Sequence, residues 1–211
     1  MQDQLVKKER SQIAVLAIVA WPLSMLLAAL AQPKIGNAAS DVYSAAVGGA
    51  GRIALSAAIG IPGIVLWLIA VAIITRAIRG KGATLSKFGG VFAIFGALGH
   101  MANATLFLVL LGIPKAGDEA TLTLAVDRIA KHVFPVAMPM LFLGAIGVFL
   151  LGLSLYRNGI ASKITPILLG LSIVAEFIPF PGVTGDVVTW ALVGVGLGLS
   201  LKGIRAKSAN L

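Results

Sequence analysis

His100 and Asn103 lie one helical turn apart inside the apolar stretch "FGALGHMANATLF", and Glu176 lies inside "LSIVAEFIPFPG". An ionised carboxylate in hydrocarbon costs several kcal/mol unless it is neutralised, paired or hydrated. A histidine takes up or releases a proton near neutral pH, and a carboxylate is its natural partner. A His–Glu pair in such a setting could bind a cation, relay a proton or hold a small ligand. Ser172 sits one turn before Glu176 on the same helix face, and Asp186 and Trp190 follow in the next apolar segment. The candidate ligand-binding set is therefore His100, Asn103, Glu176, Ser172, Trp190 and Asp186. Each also has a plain structural role open to it. His, Asn and Glu can tie helices together at roughly 0.6–2 kcal/mol per bond, and Asp186 in "PGVTGD" suits the N-cap of a helix.

Other chemistries lack their residues. The chain has no cysteine, which excludes disulfides, thiolate metal sites and a cysteine nucleophile. It has two histidines, and His132 falls in a different segment from His100, so a bis-histidine haem layer has too few ligands. No His, Asp or Glu spacing matches a metal site. "RGKGATLSK" is a short turn rather than a strand-to-helix phosphate loop, and nothing resembles a nucleophile elbow. Neither a cofactor nor a metal is expected.

These side chains need elements to hold them, and composition says which. Of 211 residues, 58% are hydrophobic and 12% charged, where a soluble domain carries roughly 25% charged residues. A bilayer-spanning helix takes about 20 mostly apolar residues. Six segments qualify, at about 12–31, 53–75, 88–112, 133–155, 164–180 and 185–201. The fold class read from this is all-α, a six-transmembrane-helix bundle forming a single integral membrane domain over 1–211. The last two spans are the shortest, and Pro179, Pro181 and Gly182 between them fit a tight turn. The first span follows Lys7, Lys8 and Arg10 as a signal peptide would, but it is long and its cleavage pattern is weak, so it reads as a retained span.

The net charge is +9, and its placement is topological. Lys7, Lys8, Arg10, Arg76, Arg79, Lys81, Lys87, Arg157, Lys163, Lys202, Arg205 and Lys207 fall on one side, and Lys34, Arg52, Lys115, Arg128 and Lys131 on the other, twelve against five. Basic residues collect in cytoplasmic loops, so both termini are expected in the cytoplasm and the protein in the cell membrane. The basic turns should attract anionic lipid. Nucleic acid is not an expected partner, because no segment is long enough for a soluble basic face. Residues 32–52 read as a small-residue loop. In 116–132, Leu122, Val126, Ile129 and Val133 repeat at helical spacing after Asp118 and Glu119, which predicts a short amphipathic helix at the outer surface.

"IRGKGATLSK" and "YRNGIASK" each follow a proline-containing span and precede another, so two hairpins echo one another. Aligning Lys87 with Lys163 puts His100 and Glu176 each 13 residues onward, about 20 Å into the membrane on helices running the same way. Pro22, Pro62 and Pro139 free backbone carbonyls near this depth. Gly96 and Gly99, flanking the histidine, leave room for a neighbouring helix, and the helix of Glu176 is the expected occupant.

The turn and span "LYRNGIASKITPILLGLSIVAE" and the closing "WALVGVGLGLSLKGI" resemble a bacterial family of six-span membrane proteins catalogued as domain of unknown function 4386. Where many members carry a Pro-Arg pair, this chain has Ser162–Lys163. The resemblance covers nearly the whole chain in layout and implies fold and location, not an activity. Three functions fit the residues. One is non-enzymatic binding or permeation of a small hydrophobic or cationic ligand, a cation or a proton at the His/Glu layer. A second is an intramembrane enzyme on a lipid or isoprenoid-like substrate, with Glu176 or Asp186 as general acid. The third is a helix-docking or immunity-type protein that forms a homo- or hetero-oligomer through the Gly194/Gly198 face. The charge count is testable directly: reporters fused to either terminus should both read cytoplasmic, and a reporter placed after residue 34 should read the opposite side.

Overall fold

The computed structural model describes residues 2–33, 39–112, 119–177 and 185–208. Every element among them is an α-helix: α1 (Gln2–Ala31), α2 (Ala39–Gly48), α3 (Ala50–Ala77), α4 (Ala83–Leu111), α5 (Glu119–Arg157), α6 (Ile164–Phe177), α7 (Gly185–Gly198) and α8 (Leu201–Ser208). Long apolar sequence satisfies its backbone polar groups within itself only as helix. Four helices are long and apolar enough to cross a membrane, within α1, α3, α4 and α5, while α6 and α7 are shorter apolar helices. Their outward faces are apolar too: Leu16, Val136 and Ile167 are all more than half exposed. An all-helical chain with apolar side chains both inside and outside is consistent with a helical membrane bundle.

The six apolar helices form a closed ring in chain order. α1 packs on α3, α3 on α4, α4 on α5, α5 on α6, α6 on α7, and α7 back on α1. Neighbours run antiparallel. Gly60 meets Ala28, Gly90 meets Thr75, and Gly152 meets Leu169. At one end, which we call the basic end, three turns and tails converge. α5 stops in a Schellman motif at Gly159, whose φ is 72°; Ile160 N–H donates to Leu155 O at 3.0 Å and Gly159 N–H to Tyr156 O at 3.0 Å. The Asn158 amide then donates to Arg79 O and Lys81 O at 2.6 and 2.9 Å, so the two echoing turns are bound to each other. α8 lies at this end against α1 and α3, with Gly203 on Ile160 O. At the opposite end, the Arg52 guanidinium donates to Ala31 O at 3.1 Å and Gln32 O at 3.0 Å, capping α1 from the start of α3.

Four readings of the sequence change. Residues 32–52 contain a helix, α2, rather than only a loop; Tyr43 and Ala46 are buried, and Val42, Phe107 and Leu111 pack against the cluster of Ala46, Ile53 and Val126. Small residues hide this apolar face from a hydropathy reading. The amphipathic segment is not a separate outer-surface helix. It is continuous with the fourth span in α5, 39 residues long, which runs through Pro135 and Pro139 without a break; of that segment, 116–118 lie outside the described residues. The seventh helix ends at Gly198, and the tail after it folds back as α8. Finally, the room beside Gly96 and Gly99 is filled by α5, not by the helix of Glu176. A Cβ on Gly96 would strike Gly144 Cα, one on Gly99 would lie 3.0 Å from Leu141 N, and one on Gly89 would lie 3.0 Å from Gly147 O. The turn expected at Pro179, Pro181 and Gly182 lies outside the described residues.

The α4–α5 contact is thus backbone on backbone, and it cannot accept side chains. Gly144→Leu should destabilise the protein by about 3 kcal/mol or abolish its folding, because the added atoms have no rotamer that avoids α4. Gly198→Ala, which meets nothing within 4 Å, should leave the unfolding midpoint in detergent unchanged.

Candidate functional site: a polar cavity above a tryptophan floor

All three tryptophans of the chain meet at mid-bundle. Trp21 of α1 and Trp67 of α3 stack with ring centroids 5.1 Å apart and planes at 18°. Trp190 of α7 stands edge-on to both, at 6.4 and 5.5 Å. His100 of α4 closes the group, 5.4 Å from Trp67 and 5.3 Å from Trp190. Close edge-to-face and offset pairs of this kind add attraction beyond the area they bury. The indole N–H groups of Trp21 and Trp67 are buried without a hydrogen-bond partner, so packing alone holds these rings.

Above this floor, toward the α2 end, the ring encloses a cavity of about 110 Å³. Its walls come from the α2-end halves of α1 and α3 (Met25 to Gln32, Ile53 to Ile64), from His100, Asn103 and Phe107 of α4, and from Leu141 of α5. Glu176 of α6 with Asp186 and Trp190 of α7 complete it. Glu176 lies in the last described turn of α6 and Asp186 is the second residue of α7 as described. α6 and α7 are bonded to each other along their described length. Thr165 Oγ1 donates to Gly196 O at 3.1 Å near the basic end, Thr189 Oγ1 donates to Ser172 O at 3.2 Å toward the α2 end, and Gly185 comes so close to α6 that a Cβ would lie 2.5 Å from Ala175 O.

Of the six residues singled out from sequence, five line this cavity: His100, Asn103, Glu176, Asp186 and Trp190. Ser172 does not. Its hydroxyl is buried and donates to Leu169 O of its own helix at 2.8 Å, and it lines instead a second void of about 20 Å³ behind the floor, shared with His100, Glu176, Thr189 and Trp190. That void has room for one water molecule. His100 and Glu176 border both spaces. Asp186 is close enough to Glu176 to repel it, and one Glu176 oxygen, Oε2, is buried without a partner among the described residues. Two carboxylates this near each other in a water-poor site repel unless a proton or another cation lies between them. No Lys or Arg is among the described residues lining the cavity. Among the described residues, no group of three His, Asp or Glu side chains has the arrangement of a metal site. The other histidine, His132, is on α5 with Nδ1 2.7 Å from Arg128 O.

Sequence reasoning missed Trp67, Gln32 and Ser56. The tryptophans did carry a signal: Trp ordinarily sits at the membrane interface, whereas all three here fall inside apolar segments. Ser56 is spoken for, donating to Ala28 O at 2.9 Å. Of the proposed docking face, Gly194 faces α1, where a Cβ on it would lie 3.7 Å from Pro22, while Gly198 is open. No family model matches the chain, and neither does any curated protein or solved structure.

The floor should dominate stability at this level. Trp67→Ala should lower the unfolding free energy by about 3–5 kcal/mol. Asn103→Ala, which removes a side chain facing open space, should cost under about 1 kcal/mol. Denaturation of the purified variants in detergent orders the two.

Proposed function

We propose that the chain is a six-span protein of the cell membrane, both termini cytoplasmic, that binds a small organic cation in the central cavity as part of its permeation or sensing. The observation that carries this reading is the composition of the cavity wall: two carboxylates, an imidazole, two amides and an indole, with no Lys or Arg among the described lining residues. The closed antiparallel ring supports the six-span reading, and the gathering of Arg79, Lys81, Arg157 and Lys202 toward one end supports the orientation. The volume sets the scale of the ligand. An apolar cavity of about 150 Å³ holds benzene, so about 110 Å³ fits a cation of a few heavy atoms, such as an alkylammonium. Glu176 and Asp186 would neutralise its charge, Asn103 and His100 would accept its N–H bonds, and Trp190 would present a ring to it. The resemblance to the six-span bacterial family agrees with this location and adds no activity.

Because Trp190 lines the cavity, tryptophan emission reports on occupancy. Methylammonium should change it saturably in the purified full-length protein, and the uncharged analogue acetamide should not. Glu176→Gln and Asp186→Asn should each weaken that binding by about tenfold or more, roughly 1.4 kcal/mol. A folded wild type with no saturable response, or a response that both substitutions leave intact, sinks the proposal.

A further inference from the structure

A second opening lies at the basic end, between α3 and α4, remote from the central cavity and independent of what that cavity binds. It is a groove of about 380 Å³. At one end stand Arg76, in the last turn of α3, and Lys87, in the second turn of α4. Along its length lie Leu68 and Ile94, and its floor is made by Gly90 and Thr75. Leu68 and Ile94 are 37% and 43% exposed, so the groove opens sideways, to the face a bilayer would cover. The eight helical steps from Leu68 to Arg76 make it about 12 Å long.

Three observations bear on what fills it. Arg76 and Lys87 are exposed, and among the described residues neither has a hydrogen bond or an ion pair. The Thr75 hydroxyl is buried with no partner. Gly90 lets α4 close on α3 to form the floor, since a Cβ there would lie 2.9 Å from Thr75 Oγ1. A soluble anion would meet the two cations and leave 12 Å of apolar groove empty, as estimated from the helical rise. A neutral lipid would fill the groove and leave the cations unmatched. Basic pockets between helices at the membrane edge take anionic headgroups.

We infer that the α3–α4 groove is a binding site for one anionic phospholipid, its phosphate held by Arg76 and Lys87 and an acyl chain laid along Leu68 and Ile94 over Gly90. The glycerol ester oxygens then fall at the level of Thr75, where a hydroxyl is without a partner.

Native mass spectrometry of the full-length protein in neutral detergent, with phosphatidylglycerol or phosphatidylcholine added, tests the assignment. Wild type should retain one phosphatidylglycerol in preference to phosphatidylcholine. The double substitution Arg76→Gln/Lys87→Gln should lower that retention about tenfold or more. Gly90→Leu, which wedges α3 from α4 at the groove floor and leaves both cations in place, should lower it as well. The charge-matched pair Arg157→Gln/Lys163→Gln should not. Equal retention of the two lipids by wild type, undiminished retention in Arg76→Gln/Lys87→Gln, or an equal loss in the charge-matched pair overturns the site. So does full displacement of the lipid by millimolar inorganic phosphate, which would mean that the apolar groove contributes nothing. Arg76 and Lys87 are exposed and unpartnered, so their double substitution keeps the test decisive even where Gly90→Leu fails to fold.

Discussion

Glu176 of α6 and Asp186 of α7 line one cavity at the α2 end of the ring, and Asp186 lies close enough to repel Glu176. That meeting of like charges is the constraint on which the site depends. Two carboxylates in so apolar a bundle are costly unless a proton or another cation joins them. No Lys or Arg is among the described residues that line the cavity with them.

The ring keeps its cavity small by using opposite packing devices on its two sides. Between α4 and α5 the glycines at 89, 96, 99, 144 and 147 bring backbones into contact. Small residues are the usual means of close helix approach where lipid removes the ordinary hydrophobic drive. Across the ring the three indoles do the reverse, filling the central space with the largest side chains available. His100 belongs to both arrangements. Its neighbour Gly99 faces α5, and its own ring lies against Trp67 and Trp190. The floor therefore depends on the glycine contact, because any outward shift of α4 would carry the imidazole off the indoles.

Polar bonding is concentrated where helices turn or end. Asn158 joins the two basic turns, Arg52 caps α1, and Thr165, Ser172 and Thr189 tie α6 to α7 or to itself. Of the groups lining the central cavity, Ser56 bonds across to Ala28 O, while His100 and Asn103 face open space.

The spans of α1, α3, α4 and α5 were legible because twenty consecutive apolar residues are a local property that needs no partner to read. The common depth of His100 and Glu176 was legible for a similar reason, since counting from a basic turn measures distance along a helix of fixed rise. What could not be read was direction around each helix. In a soluble protein the polar face points to water and fixes the rotation; here lipid and core are equally apolar, so α3 and α4 carry almost no amphipathic signal. Hence Trp67 went unnoticed as part of the floor, and Gly96 and Gly99 announced a close neighbour without naming α5. The face of α2 was masked for a related reason, because Ala, Ser and Gly bury well without standing out in hydropathy. Composition and spacing settled which segments are apolar helices. Only the assembled ring decided which way each helix turns and therefore which side chains share a cavity, because in a medium as apolar as the core that choice is made by shape, helix against helix.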